Sequence, residues 1–325
     1  MFSPSFLSNF KTSMASEIQL VPVSLATVAL ESCFYGGFLV LAIMSMCLLV
    51  RRRARWLSPT FLGAIGMCIT ITAHWIITVD RSFQAFLFFQ NGTYPLGFYG
   101  DLSQITEVVK SAFCLTTLII GDTIIIHRLW IIWDKRLIVV IFPMLSLLGL
   151  VVCSVGITYQ FTRDKTGQSV FLSDASRWIT SDAVFTICTN IYSTTFISWR
   201  MWKVGRGMQP IGGIRIQARS SVLAIIVESA AIYTTWSIFF FATYQSKSNL
   251  QFIAIDCLPA ITGIACMLIH VRIGLGWAHQ GSQAEAFEST GPLSISIAQH
   301  THTAIEDFTV LEIGKLGVGG EKDAV

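Results

Sequence analysis

The chain has 325 residues, 53% hydrophobic and only 13% charged, with a mean hydropathy of +0.64. A soluble domain carries about 25% charged residues, so this composition excludes an ordinary water-soluble globule and points to a membrane protein. The net charge of +3 is small and its basic residues sit in particular loops, which argues against a nucleic-acid partner.

The first residues, MFSPSFLSNFKTSMASEIQL, lack the basic start, compact apolar core and small-residue cleavage site of a secretory signal. Residues 1–26 read as an extracellular tail, with the first spanning helix doing the targeting. A spanning helix needs about 20 mostly apolar residues. Seven windows qualify, roughly 27–50, 58–79, 107–132, 137–159, 178–199, 221–243 and 251–271. The predicted fold class is an all-α membrane protein, a seven-transmembrane helix bundle over 27–277. Residues 278–325 are rich in Ser, Thr, Gly and acids and read as a disordered tail.

Orientation follows from Lys and Arg in the loops. The first, third and fifth loops, with Arg272 after the last window, hold thirteen basic residues; the opposite side holds six, Arg81 among them. The excess places the N-terminus outside and the C-terminus in the cytoplasm. Asn91-Gly92-Thr93 is a glycosylation sequon in the second loop, on the predicted outer side. That loop is rich in Phe and Tyr, as an interfacial belt would be. All eight cysteines fall inside apolar windows, so no extracellular disulfide framework is legible, and no metal-ligand spacing or cofactor motif appears.

Ionisable residues inside a span cost about 2.5–3.5 kcal/mol at its centre, and they usually face the bundle interior. Their depths sort them into two sets. Toward the outside lie Glu31, His74, Lys110, Asp182 and Asp256, with Glu107 just above, contributed by five windows. Either they line a ligand pocket or each makes an independent interhelical hydrogen bond. Toward the inside lie Asp122, Arg128 and Glu228. Arg128 pairing with Glu228, or folding toward Asp122, would form either a latch between two arrangements or a static salt bridge. Pro259, which removes a backbone donor, predicts a kink in the seventh helix.

Several short motifs recur in order along these windows. They are Glu31-Ser32 with Tyr35-Gly36, Gly121-Asp122 with Arg128, Trp130 and Trp133, Glu228-Ser229 with Tyr233, and Pro259 with the Arg272–Gly276 ending. Together they resemble a family of seven-helix membrane proteins from mushroom-forming fungi, over about 28–277. The resemblance implies a seven-helix bundle in a plasma membrane or endomembrane, the plasma membrane being favoured. The topology is also similar to that of G-protein-coupled receptors. His127 stands where that class has the acid before Arg128, and the usual helix 6 and helix 7 motifs are absent.

The windows hold no HExxH, GxSxG or paired-aspartate motif, so the chain reads as not an enzyme. The seventh window holds no lysine for a retinal Schiff base. The expected function is receptor-like sensing, with a small-solute or lipid transporter as the alternative. The expected partners are the lipid bilayer and a cytosolic signalling protein at 51–57, 128–136 and 200–220.

Overall fold

The computed structural model describes residues 20–51, 59–92, 95–99, 104–163, 175–206 and 213–288. The tail before residue 20, the basic loop at 52–58, residues 207–212 of the fifth loop and the chain beyond 288 lie outside these residues. The described chain is helical, with no strand. Its helices are α1 (Leu20–Arg51), α2 (Pro59–Phe83), the short α3 (Pro95–Tyr99), α4 (Ile105–Ile132), α5 (Leu137–Arg163), α6 (Ala175–Arg206), α7 (Gly213–Gln245) and α8 (Leu250–Glu288). A π-helical turn, Gln84–Phe88, and a 3-10 turn, Phe89–Gly92, carry α2 onward. α8 runs on past the predicted boundary at 271, to Glu288.

Each long helix packs against the next, and α8 returns to pack against α1, so seven long helices close into a ring. α4 also touches α6 and α8, which places it at the centre. The packing is inside-out relative to a soluble protein. Large apolar side chains lie exposed along α1, α2 and especially α5, where Leu137, Ile138, Leu145, Leu148 and Val155 face outward. The interior instead holds Glu31, His74, Arg81, Asp122, Asn190 and many hydroxyls. An apolar exterior around a polar interior is what a lipid solvent demands. On α8, by contrast, no residue from 251 to 271 is exposed.

Five helices are long and apolar enough to cross a membrane among the described residues, within α1, α2, α4, α5 and α8. α6 misses that standard because it is rich in Ser and Thr. Several of its hydroxyls are satisfied locally: Thr180 donates to the Ser176 carbonyl, Ser181 to Arg177 and Thr195 to Ile191, each one turn back.

Two prolines lie inside helices, Pro143 in α5 and Pro259 in α8. Each lacks the N–H that would bond the carbonyl four residues earlier. Those two carbonyls are taken by side chains from neighbouring helices. The Val139 carbonyl accepts from the Tyr192 hydroxyl of α6 at 3.2 Å, and the Ile255 carbonyl from the Cys114 thiol of α4 at 3.9 Å. Cross-helix repair of this kind is how apolar surroundings tolerate proline. The helices also approach closely at Gly263, where an added Cβ would lie 2.6 Å from the Phe38 ring and 2.5 Å from Ile71. All eight cysteines are free thiols.

Candidate functional site: a buried ionic cluster at one pole

The charged residues gather at the pole of the bundle marked by the N-terminus of α4. On α2, His74, Thr78 and Arg81 are spaced four and three apart and so share one face. Opposite them α4 presents Glu107 and Lys110, again three apart, with Glu107 in the first turn, where a negative charge suits the helix dipole. α1 supplies Glu31 and α8 supplies Asp256, close to the carbonyl that Pro259 leaves unpaired along the helix.

The contacts run as a chain. Arg81 Nη2 lies 3.0 Å from Glu107 Oε2, Glu107 Oε1 lies 3.4 Å from Lys110 Nζ, and Lys110 Nζ lies 3.0 Å from Asp256 Oδ1. A separate pair, His74 Nδ1 to Glu31 Oε1 at 2.8 Å, joins α2 to α1, with the Thr78 hydroxyl donating to the same carboxylate oxygen at 3.5 Å. Three carboxylates therefore face two permanent cations and one imidazole. Arg81 is only 3% exposed, His74 1% and Glu31 2%. Ion pairs this deep are held by the mutual geometry of four helices, since desolvation opposes each charge taken alone.

A recess of about 40 Å³ opens among these groups, lined by Thr27, Arg81, Glu107, Lys110 and Asp256, with Tyr99 of α3 also on its wall. Small-molecule pockets run to roughly 300–1,000 Å³, so this space fits a small polar group or a few waters. α3 covers it. Arg81 lies 5.0 Å from the centre of the Phe98 ring, and Gln104 links the two by accepting from Arg81 and donating to the Phe98 carbonyl. Burial pushes the Tyr99 phenol above its ordinary range, against the opposing pull of a Ser82 hydrogen bond and the Arg81 and Lys110 charges.

Of the five residues predicted to line an outer pocket, Glu31, His74, Lys110 and Asp256 converge here. Asp182 does not; it lies between α6 and α5, accepting a hydrogen bond from Ser154 at 3.3 Å. Two central members, Arg81 and Glu107, were not among those predicted pocket residues. Arg81 reads as a loop base by position, and the signal for its burial is its spacing from His74 and Thr78. Asn91 is exposed, in the left-handed backbone region that asparagine tolerates.

The second predicted set is dispersed. Asp122 is fully buried and accepts from the Tyr233 hydroxyl of α7 at 3.4 Å, while its Oδ2 has no partner. Arg128 is half-buried, and no ion pair among the described residues joins it to Asp122 or to Glu228, which is exposed on α7. At this pole aromatic rings gather instead: Trp133 lies 5.7 Å from Phe196 and 6.0 Å from Trp199, and Arg200 sits over Trp133 at 5.5 Å. Among the described residues no group of His, Cys, Asp or Glu is arranged to hold a metal. No family model, curated protein or solved structure matches the chain.

Proposed function

We propose that this is a seven-span membrane protein with its N-terminus outside and a receptor-like, non-catalytic sensing role. The observation that carries the reading is the ionic cluster, in which Arg81, Glu107, Lys110 and Asp256 line one small covered recess and the Glu31–His74 pair ties α1 to α2. A polar ligand that exchanges one ion pair for a contact of its own would change how α1, α2, α4 and α8 are fastened together. α4 extends from that cluster to the opposite pole, so a shift at Lys110 reaches Arg128 through one rigid element. Arg128, in no ion pair among the described residues, is available to engage Glu228 in a second arrangement.

All seven long helices take part in the closed ring, which supports seven spans even though α6 and α7 are less apolar than the other five. The sequon at Asn91 supports the outside N-terminus and gives the topology test: a glycosidase-sensitive mass shift that Asn91→Gln abolishes. An unshifted chain from a glycosylating host, together with cytoplasmic labelling of that loop, would reverse the orientation. The sensing role is tested with Arg128→Ala and Glu228→Ala in cells. Altered basal signalling at normal surface expression is expected, and unchanged signalling in both variants removes the latch.

A transporter is the second reading, favoured by Asp122, a fully buried acid with one unpartnered oxygen deeper along α4 than the cluster. It predicts that Glu31→Gln abolishes flux of a small solute into reconstituted vesicles, and intact flux counts against it. The fungal seven-helix resemblance is compatible with either role.

A further inference from the structure

The pole opposite the ionic cluster carries an excess of positive charge, with Lys135, Arg136, Arg200 and Lys203 against Asp134 in the same turn as the first two. On α6, Phe196, Trp199, Arg200 and Lys203 are spaced three, four and seven apart and so form one face. Trp133, at the end of α4, packs against the first three of them, 5.7 Å from Phe196, 6.0 Å from Trp199 and 5.5 Å from the Arg200 guanidinium. Its indole is held in place by a hydrogen bond to the Phe196 carbonyl at 3.3 Å. Arg200 is in no ion pair among the described residues, and its Nε is buried with no hydrogen-bond partner. Lys203 is exposed, as are Lys135 and Arg136 in the tight turn that follows Trp133.

Beside these bases stands an apolar wall. Ile138, Ile141 and Phe142 in the first turns of α5 are exposed, and Phe142 packs at 4.8 Å on Tyr192 of α6. Trp199 is half-exposed at the level where base meets wall. A soluble anion or an acidic protein segment has no use for that wall. An amphiphile with a negative headgroup and acyl chains matches both halves, and indole rings favour the headgroup level.

We propose that the surface formed by the α5 N-terminus and the α6 C-terminus binds one anionic phospholipid, its phosphate on Arg200 and Lys203 and its acyl chains along Ile138, Ile141 and Phe142. Arg200 is stacked and oriented by Trp133, leaving donors for a planar, two-point contact with phosphate. The inference rests on the membrane-spanning reading above and is independent of the sensing role.

The full chain, reconstituted in phosphatidylcholine vesicles, is titrated with trace spin-labelled phosphatidylserine or phosphatidylcholine, and the motionally restricted fraction is measured. The wild type should prefer phosphatidylserine. Lys203→Gln should lose roughly fivefold of that preference, the order expected for one base near a membrane surface. Arg200→Gln with Lys203→Gln should bring it to the phosphatidylcholine level. Arg177→Gln, an exposed base at the other end of α6, should leave it intact. Lys203 is exposed, so its single variant carries the test even if Arg200→Gln impairs folding. Equal preference in wild type and Lys203→Gln overturns the proposal. So does displacement of the lipid by millimolar inorganic phosphate, which would mark a free-anion site. A chain that does not co-float with vesicles fails the membrane reading itself, and this proposal with it.

Discussion

The two poles of α4 solve the same problem differently. At the N-terminal pole α4 contributes an acid and a base, Glu107 and Lys110, and both are engaged by charges from other helices. At the C-terminal pole it again contributes an acid and a base, Asp122 and Arg128. Here, among the described residues, the acid is met only by the Tyr233 hydroxyl and the base by no carboxylate. Helical spacing explains the contrast in part. Glu107 and Lys110 are three apart and share a face, whereas Asp122 and Arg128 are six apart and point to different sides of the helix. A network of mutual charges fixes one arrangement; single contacts leave room for another. The N-terminal pole is thus the fastening of the bundle, and the C-terminal pole is where a rearrangement costs least.

Breaking the fastening should have the largest effect. Lys110→Met leaves Asp256 with no cation within salt-bridge distance among the described residues and removes one of the two bases on Glu107. Uncompensated buried charge of this kind costs about 3–5 kcal/mol, so the purified protein should unfold at a markedly lower temperature. Adding Asp256→Asn should recover part of the loss. A change under about 1 kcal/mol for the single variant would show that water already reaches the cluster. Next in size is Gly121→Ala, beside Asp122 on α4. Its new Cβ would meet Thr262 Cγ2 at 2.8 Å and Met67 at 3.3 Å, and the overpacking should cost about 1–3 kcal/mol. A wild-type unfolding midpoint for that variant would mean that α4 and α8 slide freely past one another.

Much of this arrangement was legible in the chain itself. The apolar windows located the long helices because their length and composition follow from bilayer thickness, and the depth of each ionisable residue separated Glu31, His74, Lys110 and Asp256 from Asp122. Arg81 escaped because a base next to an aromatic loop reads as solvated. Only the fold of α3 over it, with Phe98 on its guanidinium, makes it interior. Asp182 meets α5 and not the cluster, since depth along a helix says nothing about which neighbour its face meets. Cys114 lies inside an apolar window, yet it donates to the carbonyl that Pro259 leaves without a backbone partner in α8. That partnership depends on two helices 141 residues apart in sequence, which no local pattern records.

The C-terminal pole supplies the smaller effects. Tyr233→Phe removes the one hydroxyl that meets Asp122, and leaving a buried carboxyl without its donor should cost about 1–2 kcal/mol. A neutral result would mean that Asp122 draws on another donor, narrowing the difference between the poles.

Arg128→Gln should have the least effect on stability, within about 0.5 kcal/mol, because the side chain it replaces is half-buried and in no ion pair among the described residues. The replacement keeps a long polar side chain at the same position on α4. Unfolding in detergent, measured alongside Lys110→Met under one set of conditions, compares the two bases of a single helix directly. If Arg128→Gln destabilised as strongly as Lys110→Met, the charge at this pole would be as firmly partnered as the one at the other. The distinction between a fastened pole and a mobile one would then fall. If it is silent for stability yet changes signalling in cells, Arg128 acts in an arrangement other than the one in which it is seen.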